Sequence, residues 1–229
     1  LREAQEKSQV FIHFHPLKPR DTTFVSFGDA SFASSKNLNS HQGALICATH
    51  TDLHHNVEAP ISPLTWVSKK IPRVVRSTLS AEAYSMSKSV DTLGWIRSLW
   101  GCIHNPNFPW QDPAASYRTL NRALIITDCK SLYDLVTRTA TPACEEFRTT
   151  LEVLLIKQRC EENAAFRWVP TTLMLADCLT KSMDATFLRT VLLRGRFKLH
   201  DEHHTLAKAD HRKQVVQWLY GKSTEAIPT

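Results

Sequence analysis

Residues 123–128 read Ala123-Leu124-Ile125-Ile126-Thr127-Asp128: a short apolar run that ends on a carboxylate. Its apolar residues are consecutive rather than alternating. That is the pattern of a strand covered on both faces in the middle of a sheet. Upstream, Thr23-Phe24-Val25-Ser26-Phe27-Gly28-Asp29 repeats the arrangement, a strand closing on an acid. Two more acids interrupt apolar stretches. Glu82 lies in Ser80-Ala81-Glu82-Ala83-Tyr84, and Asp177 in Leu175-Ala176-Asp177-Cys178-Leu179-Thr180-Lys181. An unpaired charge in such surroundings is costly. Acids placed this way need a common partner, and a hard divalent cation is the natural one.

The remaining elements follow outward from these runs. Val10 to His15 has the character of a short strand, ended by Pro16 and Pro19. Residues 22–32, 43–49 and 61–68 read as three strands with turn-like links, an antiparallel meander, with Trp66 assigned to the core in preference to a base-stacking platform. Residues 78–101 carry the strongest helical pattern, with Leu79, Ala83, Met86, Val90 and Leu93 recurring every three or four positions. Ser77 or Thr78 can cap that helix, and Glu82 falls at the edge of its buried stripe. Residues 104–121, with three prolines, read as a loop. Cys129 to Thr137 and Pro142 to Cys160 read as helices, Ala165 to Val169 as a strand stopped by Pro170. Thr171 or Thr172 caps a further helix expected to carry Asp177, and residues 184–194 and 208–220 read as helical. The order β-β-β-α-β-α-α-β-α implies an α/β fold, a mixed five-stranded sheet flanked by helices. Its parts are a connecting segment over 1–20, the main domain over 21–183 and a helical extension over 184–229.

The chain has 229 residues with 42% hydrophobic content, enough for one full α/β core. Its formal net charge of +6 favours a polyanionic partner such as nucleic acid. The six cysteines form no C-x-x-C pair and read as reduced, buried, intracellular thiols. The histidines show no structural zinc spacing with them. No apolar run approaches 18 residues, so no membrane span is expected. The chain begins at Leu1, as expected of a piece of something longer.

Carboxylates brought together repel, at about 4 kcal/mol per pair for 4 Å and an effective dielectric near 20. Protonation relieves this, and so do two Mg²⁺ or Mn²⁺ ions. Two such ions about 4 Å apart suit in-line phosphodiester cleavage. Taken singly, the acids also fit turn capping, dipole compensation or solvated helix positions.

The chain resembles the ribonuclease H domain of copia-type retrotransposon polyproteins over roughly residues 10–195. The resemblance lies in Asp29-Ala30-Ser31-Phe32, Trp66-Val67-Ser68-Lys69-Lys70, Arg76-Ser77-Thr78-Leu79-Ser80-Ala81-Glu82-Ala83, Thr127-Asp128-Cys129-Lys130-Ser131-Leu132, and Trp168-Val169-Pro170-Thr171 with the Leu175–Lys181 segment. It implies a ribonuclease H-like fold and hydrolysis of the RNA strand of an RNA–DNA hybrid during reverse transcription. Asp29, Glu82, Asp128 and Asp177 match the family's catalytic, metal-binding acids, which hold two Mg²⁺ or Mn²⁺ ions. The reverse transcriptase domain of the same polyprotein is the implied partner, and a cytoplasmic retroelement particle or the nucleus the implied location.

Two departures stand out. No histidine lies between His104 and His200, where many ribonucleases H place one before the last acid. Where the copia-type pattern has Arg-Thr-Lys-His-Ile-Asp, this chain has Arg148-Thr149-Thr150-Leu151-Glu152-Val153. A second reading is therefore a weak or inactive module of the same fold that binds nucleic acid or a polymerase. A third is another nuclease or strand-transfer enzyme on that fold. For substrate contact, Lys69, Lys70, Arg73 and Arg76 form a basic cluster suited to phosphates, and Ser31 and Ser131 can bond to sugar or phosphate.

Overall fold

The computed structural model describes residues 12–34 and 38–200. Strands β1 (Thr22–Ser31), β2 (His41–His50) and β3 (Ala59–Lys70) form the expected antiparallel meander. Helix α1 (Thr78–His104) follows, with a short α2 (Pro113–Arg118) inside the stretch read as loop. Then come β4 (Ala123–Thr127), α3 (Lys130–Thr137), α4 (Phe147–Glu161), β5 (Ala164–Trp168), α5 (Thr186–Arg194) and β6 (Arg196–Phe197). The sheet order is β5-β4-β1-β2-β3-β6, with β1, β4 and β5 mutually parallel.

The two faces of β4 explain its unbroken apolar run. Ile125 packs with Met86, Val90 and Leu93 of α1 and with Leu132, Val153 and Ile156 of α3 and α4. Leu124 and Ile126 face a second core of Leu173, Met174, Leu175, Ala176, Val191, Phe197 and Leu199. Both faces are buried, so the run stays apolar from Ala123 to Ile126. The resulting mixed sheet between helices is the ribonuclease H-like fold implied by the sequence.

Among the described residues the sheet has six strands, not five. Two-residue β6 is too short to leave a periodic signal. It pairs with Ala59 and Pro60, and Phe197 packs edge-on against Phe27 with ring centroids 5.3 Å apart. Residues 12–18 form no strand, and Val10 and Phe11 lie outside the described residues, as does 208–220. The helix read from Pro142 begins instead at Phe147. Glu146 ends the irregular stretch, its carboxylate accepting from Ser80 (2.9 Å) and Thr149 (3.3 Å). Asp177 lies on a 3-10 turn, Asp177–Leu179, rather than on an α-helix. The preceding Leu173–Ala176 are all buried, so this stretch has no solvent face for an amphipathic helix. Trp66 is 60% exposed, because the second half of β3 runs past its cover. The six cysteines are unpaired, but only Cys47 is buried as expected: Cys102 is exposed and the other four are half-buried, since they sit at the edges of helices and turns rather than inside the sheet.

Candidate metal centre

The register of β1 on β4 pairs Val25 with Leu124, Ser26 with Ile125 and Phe27 with Ile126. Carried on two residues, it sets Asp29 opposite Asp128. β4 stops at Thr127 while β1 runs on to Ser31, so one side of Asp29 is left open to the neighbouring elements. Both acids therefore sit at the C-terminal end of central parallel strands, where such sheets place their reaction sites.

Glu82 arrives from α1. Ser77 caps that helix, its hydroxyl accepting from the Ser80 amide at 3.0 Å. The helix lies close on β1 because Gly28 has no side chain. A Cβ there would stand 2.9 Å from Met86 Cε and 3.5 Å from Met86 Cα. Ser85 Oγ donates to the Asp29 carbonyl at 2.6 Å, tying helix to strand one turn from Glu82. One carboxylate oxygen from each of Asp29, Glu82 and Asp128 can be chosen so that all three lie within 4.8 Å of one another. Asp29 and Glu82 are buried and Asp128 is half-buried.

The electrostatics follow from that crowding. Burial lifts the Asp29 carboxyl from 3.8 to about 6; the hydroxyl of Thr180 and the charge of Lys181 pull down, Asp128 and Asp177 push up. Glu82 is raised well above the ordinary range, by burial first and then by the charges of Asp29 and Asp128. Asp128 is also raised, chiefly by burial, against a hydrogen bond from Thr171. Three carboxyls held close together with raised affinity for a positive charge are a receptive site for a cation. Glu82 Oε2 is buried with no hydrogen-bond partner among the described residues, leaving a ligand atom uncommitted. An all-oxygen donor set of this kind fits Mg²⁺ or Mn²⁺.

Asp177 stands beside this triad, buried, on a loop that other residues pin to the sheet. Gly43, the register partner of Asp29, makes the approach possible. A Cβ on Gly43 would lie 2.5 Å from Thr180 Cγ2 and 3.1 Å from the Ala176 carbonyl. Ser31 Oγ donates to the Thr180 carbonyl at 2.9 Å, and Ser68 Oγ to that of Leu179 at 2.6 Å. Thr180 Oγ1 donates to Asp29 Oδ2, and Lys181 Nζ pairs with Asp177 Oδ1.

The sequence-selected contact residues divide. Lys69 and Lys70 are exposed at the end of β3. Arg76 is exposed, 3.9 Å from Glu146. Arg73 is half-buried, paired with Glu152 at 2.7 Å and stacked on Tyr84 at 4.7 Å. Ser131 is exposed in the first turn of α3, next to the acids, with its hydroxyl 3.3 Å from Cys129 Sγ. Ser31 is buried and serves the Asp177 loop. Sequence reading did not single out Gly43, Thr180 or Lys181. For Lys181 the signal was present, since Asp177 and Lys181 are four residues apart within one matching segment.

No family model and no curated protein matches the chain. Among solved structures, RNase H1 from the halophilic archaeon Halobacterium salinarum NRC-1 has a TM-score of 0.45 at 10% identity, over 69% of this chain and 94% of that one. LC11-RNase H1 in complex with RNA/DNA hybrid has 0.46 at 14% identity, over 72% and 99%. The foamy viral protease-reverse transcriptase in complex with dsDNA has 0.38 at 12% identity, over 73% and 96%. These values describe a loose likeness of fold, and what the site can do is carried by its own carboxylates.

Proposed function

We propose that this chain is a divalent-metal-dependent ribonuclease H that hydrolyses the RNA strand of RNA–DNA hybrids. We further place it in a copia-type retroelement, acting in reverse transcription beside the polymerase domain of the same polyprotein. The observation that supports the activity is the triad of buried Asp29 and Glu82 and half-buried Asp128, at the ends of β1 and β4 and on α1. The copia-type assignment rests on the ordered sequence segments, from Asp29-Ala30-Ser31-Phe32 to Leu175–Lys181.

In this reading Asp29, Glu82, Asp128 and Asp177 would hold the ions. Bound Mg²⁺ or Mn²⁺ would supply an activated water and stabilise the charge of the displaced oxygen. The chain's own residues do the rest. Burial of Asp29 and Glu82 keeps bulk water from screening their hold on a cation. Lys69, Lys70, Arg76 and Ser131 are the exposed groups able to meet phosphates and set the duplex in place. Arg73, held by Glu152 and Tyr84, braces the basic segment against α1 and α4.

The test is incubation of the chain with end-labelled RNA–DNA hybrid, RNA duplex and DNA duplex, in Mg²⁺, Mn²⁺ or EDTA. Hybrid cleavage that needs the ion and vanishes in Asp128→Asn is expected. Undiminished cleavage by that variant, in a preparation free of other nucleases, removes the proposal. Hybrid binding without turnover in either ion marks a non-cutting module, and preference for DNA duplex marks a different nuclease.

A further inference from the structure

Three acids converge on this site with Asp177 beside them, and a lysine reaches in between. Lys181 Nζ pairs with Asp177 Oδ1 and lies 3.9 Å from Asp29 Oδ2. The lysine follows Thr180, whose hydroxyl donates to that same Asp29 oxygen. Lys181 therefore touches the two carboxylates that join the triad to the 176–180 loop. Its charge acts on Asp29, Glu82 and Asp128 alike, favouring the ionised form of each. Its side chain is also 42% exposed, so the ammonium has a way out to water. An ammonium is a compact, strongly hydrated charge on a flexible stem, suited to leaving without rearranging the backbone.

We propose that Lys181 is a tethered counter-ion for the carboxylate cluster, which a divalent cation must displace from Asp177 and Asp29. The inference rests on the metal-centre reading above and adds a residue that sets how tightly the site takes its ion. The physical ground is competition. An ammonium on these two carboxylates blocks their oxygens and repels an approaching dication. Two charges on one ion replace one charge on a side chain, so the cation wins, at an affinity lowered by the lysine. Without the ion, the same ammonium relieves repulsion among acids the fold has already buried together.

The measurement is calorimetric titration of metal-free protein with Mn²⁺ at fixed pH and ionic strength, together with melting temperature with and without the ion. Lys181→Met keeps the apolar stem and removes the charge; Lys181→Gln is the second neutral variant, and Lys181→Arg retains the charge. Both neutral variants should bind Mn²⁺ at least about tenfold more tightly than wild type. They should melt lower without metal and gain more on its addition, and Lys181→Arg should stay near wild type. Equal or weaker Mn²⁺ binding by the neutral variants, folded by circular dichroism, overturns the counter-ion role. Mn²⁺ that binds wild type no better than it binds Asp128→Asn sinks the metal centre itself, and the inference with it.

Discussion

Asp29 carries a pH dependence whose sign can be worked out. Its carboxyl titrates at about 6 in the fold against an ordinary 3.8, with burial the largest cause. Between those values the folded protein holds more protons than the unfolded chain. Its contribution to metal-free stability is therefore full below about pH 4 and is lost as pH rises through about 6. The shift corresponds to up to about 3 kcal/mol. Urea unfolding in EDTA should show wild type losing stability relative to Asp29→Asn across that window, with Mg²⁺ or Mn²⁺ restoring it at neutral pH. A constant difference between the two proteins from pH 4 to 7 would contradict the assignment. Glu82 behaves in the same sense, raised by burial and by its acidic neighbours. Glu82→Gln removes a buried carboxyl whose Oε2 has no hydrogen-bond partner among the described residues, so we expect the metal-free protein to gain roughly 1–3 kcal/mol near neutral pH. The same variant should lose the melting-temperature rise that Mn²⁺ produces. A destabilised Glu82→Gln would mean that the carboxylate holds the fold rather than awaiting an ion.

At the scale of elements, the site depends on two close approaches across β1 and β2. Gly28 admits α1, and Gly43 admits the loop carrying Asp177 and Thr180. The obstacles to a new Cβ differ in kind. At Gly28 the nearest atoms are the end of the flexible Met86 side chain, at 2.9 and 3.1 Å. At Gly43 they include Leu179 Cβ at 3.0 Å and the backbone oxygen of Ala176 at 3.1 Å, which cannot rotate away. We expect Gly43→Ala to cost about 1–3 kcal/mol and to weaken Mn²⁺ binding, because the loop must lift from the sheet. Gly28→Ala should cost less and leave more of the metal response. Comparable losses in calorimetry and urea unfolding would show that the Asp177 loop is not held by this approach. The start of α1 gives a separate test. Ser77→Ala removes the hydroxyl that accepts from the Ser80 amide and should cost about 1 kcal/mol in urea unfolding. An unchanged midpoint would show that another group satisfies the first turn.

Over the whole molecule, a net charge of +6 favours a polyanionic partner. Binding to an RNA–DNA hybrid, measured in EDTA or with Asp128→Asn to prevent turnover, should weaken steeply with salt. Replacing Lys69 and Lys70 together by Ala should lower the slope of log K against log salt by about 1 for each phosphate that a lysine neutralises in the wild type. Arg73→Ala should act differently, through stability, since its guanidinium is already taken by Glu152 and Tyr84. A slope unmoved by the lysine pair would place the duplex on another face.

Much of this was legible in the chain. The meander, the capped helix and the doubly buried β4 leave periodic signals, because each buries a defined face of a regular element. Asp29, Glu82 and Asp128 stood out for a related reason: each breaks an apolar pattern. Local sequence could not carry the rest. β6 is two residues long and forms because Phe197 fits against Phe27 and its backbone meets the edge of β3. The irregular 173–180 segment is set by long-range packing and by hydrogen bonds from Ser31 and Ser68, not by helix propensity. The exposure of Trp66 depends on how far β3 outruns its cover. The sequence by itself determined the three-strand meander, the long capped helix, the doubly buried β4 and which acids would be misplaced among apolar neighbours. Only the tertiary structure decided that the register of β1 on β4 sets two acids side by side, that Gly28 and Gly43 admit the other two, and that Lys181 reaches in among them. Burial pattern is a local property of the chain; convergence depends on contacts between segments far apart in it.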